Sequence, residues 1–220
     1  MKATTFAAAA FATIALTGGA IAAAPAIFAQ GAAEMPGIKD PSRVAAGSYA
    51  LDASHTLVKW NVSHFGFNDY FGIFGDISGT MELDPANIEA TKFEIMVPIA
   101  DVTVASAGLK EHLLRAGKDG AAPDFFGPEP GMAKFVSREV TKTGDMTASV
   151  TGDLTINGKT GPVMLAVEFS GAGANPFNKK ETVGFHARGM MDRTQWGVNY
   201  GVPVVSKDVE LTISAAFEKQ

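Results

Sequence analysis

Between Thr56 and Leu83 the chain reads TLVKWNVSHFGFNDYFGIFGDISGTMEL, and every second residue sorts onto one side of a sheet. Val58, Trp60 and Val62 lead to His64 along one apolar face. Ile73, Gly75, Ile77, Gly79, Met81 and Leu83 form a second, with Asp76, Ser78, Thr80 and Glu82 opposite. Strict alternation at period two marks strands with one dry and one wet face. The dry face is cut by glycines and ends at a histidine, where a face built only to fill a core would favour branched side chains throughout. It leaves room.

The pattern recurs along the chain. The alternation predicts strands over 56–64, 73–84, 91–101, 132–141, 146–156, 163–169, 183–191 and 208–218. Asp84-Pro85-Ala86-Asn87 reads as a turn, and Asn157-Gly158 is the strongest short-range hairpin signal in the chain. Pro98 cannot donate to a ladder, so a bulge or an unpaired edge is expected there. After the third strand the alternation stops. Residues 106–117, SAGLKEHLLRAG, fit a short helix capped by Ser106 and stopped by Gly117, with Glu111 and Arg115 spaced for an i,i+4 pair. A Gly/Pro loop carrying Phe125-Phe126 follows, and a barrel mouth is a natural place to bury those rings. The expected fold is all-β: eight antiparallel strands with one short helix inserted after the third. Such strands need either a partner sheet or closure on themselves, and eight closed strands can hold side chains or one small ligand. The inward Gly75, Gly79, Gly152, Gly189, Ala148, Ala187 and Ala215 favour a cavity; the same residues also ease strand curvature at barrel corners.

The first 29 residues have one Lys, an uncharged apolar run broken by Thr and Gly-Gly, and small residues around Ala26 and Ala29. That is the form of a secretory signal peptide, so export to the periplasm is expected, with cleavage after Ala26 or Ala29. Residues 30–48 read as a flexible leader and 49–220 as the folded domain. Lys2 is the only charge in the signal, so its removal turns 18 basic and 23 acidic side chains into 17 and 23, a net −6. A mildly acidic protein has no broad attraction to nucleic acid or anionic membrane surfaces. No later stretch approaches membrane-spanning length, so no stable membrane insertion is expected. With no cysteine in the chain, disulfides and thiolate chemistry are excluded.

Catalytic and metal motifs are equally sparse. His55, His64, His112 and His186 have no metal-site spacing to one another or to carboxylates, and neither HExxH nor GxSxG occurs. No catalytic residue and no metal ligand is assigned. His64 continues the dry face of the first strand and His112 shares a face with Leu109. Each is either a half-buried histidine bonded to backbone or a contact for a polar group of a ligand, with Lys110, Arg115 and Arg193 as cations beside it.

Several motifs stand in a characteristic order: YALDASHTLVKWNVSHFG, GIFGDISGTMELD, EHLL, PDFF, GDLTINGKTGPVMLAV, DRTQWG and KDVELTI. Over residues 49–218 the chain resembles the YceI-like family of exported bacterial polyisoprenoid-binding proteins. The resemblance implies a lipocalin-like barrel, a helix near one end, and an apolar channel holding an isoprenoid or similar amphiphile of quinone or polyprenyl phosphate type. It implies a carrier rather than an enzyme, with no cofactor beyond the bound lipid, and leaves a homodimer open. The candidate ligand-binding residues are Trp60, His64, Phe65, Ile77, Phe93, Leu109, His112, Phe125, Phe126, Phe185 and Arg193. Two stretches depart from the family pattern, Arg115 to Asp124 and Phe126 to Lys134, both near the expected mouth. The rival readings are an enzyme using His64 or His112 as acid–base on an apolar substrate, and a stress or interaction protein whose cavity is incidental.

Overall fold

The structure, a computed structural model, describes residues 35–220; the stretch read as a signal peptide and the first residues of the leader lie outside the described residues. Ten strands are present among these: β1 (Gly47–Leu51), β2 (Leu57–His64), β3 (Asn68–Phe74), β4 (Ser78–Leu83), β5 (Lys92–Pro98), β6 (Met132–Lys142), β7 (Thr147–Ile156), β8 (Lys159–Ala174), β9 (Glu181–Asp192) and β10 (Asp208–Lys219). The one α-helix among the described residues, α1 (Ala107–Leu114), lies between β5 and β6. All pairings are antiparallel. β4 to β10 pair in sequence order, and β1 bonds both β4 and β10, which closes a ring of eight strands. The β2–β3 hairpin prolongs that ring: β10 pairs β1 at Phe217 to Lys219 and β2 at Glu210 to Ser214. The expected eight-stranded antiparallel barrel is the fold.

Local chemistry explains the joints. Asn157 and Gly158 both take positive φ, 53° and 71°, the pairing a type I′ hairpin needs between β7 and β8. Ser106 Oγ accepts the Leu109 N–H at 3.2 Å and caps α1. The helix ends at Leu114, with Arg115 as its C-cap. Pro98 ends β5, where its missing donor costs the ladder least.

The run from Ile73 to Leu83 is not one strand. Asp76 stands at φ 51°, and the extended backbone breaks over 75–77. The break shifts the phase of the alternation. In β3 the inward residues are Tyr70, Gly72 and Phe74, which pair with Val62, Trp60 and Val58. Ile73 instead lies opposite outward Lys59, and its backbone bonds Thr103 in both directions at 2.9 Å.

The leader region is also more engaged than its composition suggests. From residue 35 it lies against β8, where Ile38 and Ala172 exchange backbone hydrogen bonds of 3.1 and 2.9 Å. A 3₁₀ turn, Pro41–Arg43, follows, capped by the Asp40 carboxylate.

The barrel's two ends are built differently. At the helix end, the crossing from β5 to β6 carries α1 and is tied to β3 by the Ile73–Thr103 bridge and to the β7–β8 turn by Asn157, which donates to Phe125 O. Ile99, Val102, Leu113, Trp196 and Val198 are buried there. At the far end, Tyr49, Met81, Leu83, Phe169, Ala172, Val183 and Phe217 form one apolar cluster. Between the ends the walls are less covered. Along the inward face of β10, Val209 and Phe217 are buried, whereas Leu211, Ile213 and Ala215 between them are half-buried. On β8, half-buried Leu165 and Val167 lie between buried Val163 and Phe169 in the same way. A close-packed interior would bury the middle most. Here the middle faces space.

Candidate functional site

Aromatic and branched side chains shape the channel, and the glycines admit them. A Cβ at Gly72 would lie 2.5 Å from the Trp60 ring, one at Gly152 2.3 Å from the Phe135 ring, and one at Gly189 2.6 Å from Leu165 Cδ2. The inward glycines therefore accept a neighbour's side chain laid across them rather than leaving gaps of their own. The remaining space lies elsewhere. At the far end a cavity of about 470 Å³ opens between the β4–β5 and β6–β7 turns. Leu83, Ile88, Met146, Val167, Phe169 and Phe185 provide its apolar walls, and Lys142 is the only cation among its lining residues.

The predicted site residues fall into two groups. Phe93 and Phe185 belong to the far-end interior, where Phe217 joins both rings at centroid distances of 6.2 and 6.1 Å. Trp60 is on the channel wall of β2, and its indole N–H is buried without a hydrogen-bond partner among the described residues. Ile77 is fully buried at the β3–β4 break, so it is packing and faces no open space.

The others gather at the helix end. His112 Nε2 lies 2.7 Å from Asp124 Oδ2, and Arg115 donates to the same oxygen at 3.1 Å. The hydrogen bond with His112, then that from Arg115, holds the Asp124 carboxyl below its usual range. Arg115 is thus tied to Asp124 rather than to Glu111, its expected helix partner. Phe125 meets the His112 ring edge-on at 5.0 Å, and Tyr200 meets it at 4.6 Å. The Phe126 N–H donates to Leu113 O at 3.1 Å, and half-buried Leu109 lies one turn before Leu113 on α1. These contacts clasp the crossing onto α1. Asp124 and Tyr200 escaped the sequence reading because one lies beyond a loop of unusual length and the other sits in a glycine-rich connection.

His64 stands at the β2–β3 turn with its ring 4.1 Å from that of Phe65. Phe65 itself has φ 56° and is 51 % exposed, so it projects from the turn instead of lining the channel. Arg193 needs the plainest correction. It is 5 % exposed, and its guanidinium donates to the carbonyls of Ser206 (2.8 Å), Val198 (2.7 Å), Tyr200 (3.0 Å) and Val205 (3.0 Å). Burial lowers its pKa, with Asp192 opposing. The neighbouring Asp192 carboxylate is bound to Thr194 and Lys207. Arg193 therefore spends four of its five N–H groups on these carbonyls and holds the β9–β10 connection together.

No group of three or more His, Cys, Asp and Glu side chains placed to hold a metal ion occurs among the described residues. No helix among them is long and apolar enough to cross a membrane. What the arrangement offers chemically is an apolar tube, closed at one end by a polar-locked cap and open to a cavity at the other.

Comparison with known proteins agrees with this architecture. The sequence pattern of the YceI-like domain matches residues 49–217. A UPF0312 protein of Pseudomonas putida strain F1 is 34% identical over 178 residues, covering 80% of this chain and 88% of the relative. In fold, the chain is similar to Burkholderia cenocepacia BcnA, with TM-score 0.61 and 22% identity over 76% of this chain and 98% of that one. It is similar also to a polyisoprenoid binding domain from Saccharophagus degradans, with TM-score 0.52 and 13% identity over 78% and 98% of the two chains. A domain match across nearly the whole barrel, with curated relatives of the same extent, places the chain in the YceI-like family.

Proposed function

We propose that this protein is a carrier that shields an isoprenoid or similar amphiphilic lipid inside the barrel, and that it works in the periplasm. The observation that carries the reading is the half-buried middle of the barrel wall, together with a far-end cavity of about 470 Å³ whose lining includes half-buried Val167. The fold shared with the polyisoprenoid binding domain from Saccharophagus degradans adds support. Apolar burial alone is strong enough to hold such a ligand. About fifteen buried methylene-sized units at roughly 0.8 kcal/mol each yield on the order of 12 kcal/mol before association costs. The headgroup then sets selectivity more than affinity. A quinone or a polyprenyl phosphate satisfies this description, and the signal-like first 29 residues support export.

Extraction of the purified protein with organic solvent, followed by mass spectrometry, tests the reading. A stoichiometric isoprenoid or quinone is the expected result. An empty extract, with no uptake of added long-chain isoprenoid, refutes it.

A further inference from the structure

The segment just before β1 lies outside the residues that match the YceI-like domain, yet it lines the far-end cavity. β7 stops pairing with β8 at Thr147 and Glu168, so the last residues of β8 have a free edge. Ile38 takes that edge through its paired bonds to Ala172, and Lys39 forms an ion pair with Glu168. The seat is made by glycines. A Cβ at Gly173 would fall 1.8 Å from Pro36 O, and one at Gly171 3.2 Å from the Gly37 backbone. From there the chain turns over the far end. The Asp40 carboxylate accepts from Ser42 N at 2.9 Å and Ser42 Oγ at 2.7 Å, and Tyr49 Oη donates to Ala45 O at 2.6 Å. Val44 packs against the far-end cluster, and Pro41, Ser42 and Val44 form one wall of the 470 Å³ cavity.

We propose that residues 38–46 are a displaceable strap, and that the cavity it walls on one side is the portal through which an apolar chain enters the barrel. The helix end is closed by buried Leu113, Trp196 and Val102 and clasped by the His112–Asp124–Arg115 contacts. Opening it would dismantle the β5–β6 crossing. The strap has no such cost. Its attachments are one pair of backbone bonds, an ion pair between half-exposed side chains, a local cap, one phenol contact and the packing of half-buried Val44. Releasing them leaves every ladder of the eight-stranded ring intact, which is the condition for low-energy local opening. The inference rests on the carrier reading only for what passes through the portal.

Access to the portal is measurable without lipid. The chain has no cysteine, so Val167→Cys places a single thiol on the cavity wall. Its reaction rate with N-ethylmaleimide reads the opening of the strap. Ile38→Pro removes the N–H bonded to Ala172, Gly173→Val obstructs the seat, and Lys39→Ala removes the ion pair. Ile38→Pro and Gly173→Val are expected to raise the rate about tenfold, and Lys39→Ala about twofold, with the thermal midpoint of the barrel within a few degrees of the parent. Lys39→Ala keeps the test valid should a stronger variant misfold. A rate unchanged in every folded strap variant overturns the proposal. In a second arm, a dansyl-tagged farnesol reports uptake and release. Faster exchange in both directions, at nearly constant affinity, supports portal and carrier together. Accelerated thiol labelling with no dansyl binding in any variant supports the portal and refutes the carrier.

Discussion

Replacing Arg193 with Met separates a structural cation from a ligand-binding one. The guanidinium makes four hydrogen bonds of 2.7 to 3.0 Å to the carbonyls of residues 198, 200, 205 and 206, and only 5 % of the residue is exposed. Bonds to a charged group contribute roughly 1.5–3 kcal/mol each, and a buried acceptor left alone costs about 1–3 kcal/mol. These terms do not add, because the connection from Asn199 to Val204 is largely exposed and some of its carbonyls regain water. A net loss of about 3–5 kcal/mol follows, a large part of a typical stability of roughly 5–15 kcal/mol. Arg193→Lys should recover less than half of it, since an ammonium cannot reproduce the planar fork that spans four acceptors. Equilibrium urea unfolding, followed by the fluorescence of Trp60 and Trp196, measures this. With a slope of about 2 kcal/mol per molar urea, the Met variant's midpoint should fall by about 2 M. A variant as stable as the parent that has lost its lipid would refute the reasoning, and would make Arg193 the headgroup ligand that its charge first suggested.

Three further outcomes follow from named contacts. Gly72→Ala brings a methyl to 2.5 Å from the Trp60 ring and 2.7 Å from Val104, so it should destabilise by about 1–3 kcal/mol in the same assay. Asp192 has its pKa lowered from 3.8 to about 2, first by the Thr194 hydroxyl and then by Lys207. A carboxyl depressed in the folded state stabilises above its unfolded value and loses that effect as pH falls. The thermal midpoint should therefore drop between about pH 4 and 2, and Asp192→Asn should flatten that limb relative to the parent. Ala148→Leu adds apolar volume to the half-buried cavity wall, so purified variant should carry less extractable lipid while its urea midpoint stays within about 0.5 M of the parent.

The strands were legible because their signal is local. One face of β10 is apolar and the other charged, and no distant contact is needed to see it. The break at Asp76 was hidden for a related reason. Apolar residues at 73, 75, 77, 79, 81 and 83 keep a perfect alternation in the sequence, yet a residue in left-handed conformation changes which of them point inward. Only pairing with Lys59 and Thr103 reveals that Ile73 has crossed sides. The leader was opaque because its seat is non-local. Pro36, Gly37 and Ile38 show no periodicity, and the glycines that accept them stand at 171 and 173.

The site divides along the same physical line. Residues that stood out in the sequence, His112, Arg115, Phe125 and Arg193, all lie in the helices and loops that connect strands at the helix end. Irregular backbone brought against a core must find partners for its carbonyls and N–H groups, and where no ladder supplies them polar side chains make up part of the difference. Arg193 with its four carbonyls, Asn157 bonding Phe125 O and Trp196 O, and Trp196 donating to Leu154 O do this work. The far-end cavity needs no such chemistry. Its strands satisfy their own backbone through the ladders, and an apolar chain asks only for apolar walls, so Leu83, Val167 and Phe169 look like any core. A search for reactive side chains therefore finds the closed end of this barrel, and the open end emerges only from the exposure that inward-facing apolar residues retain.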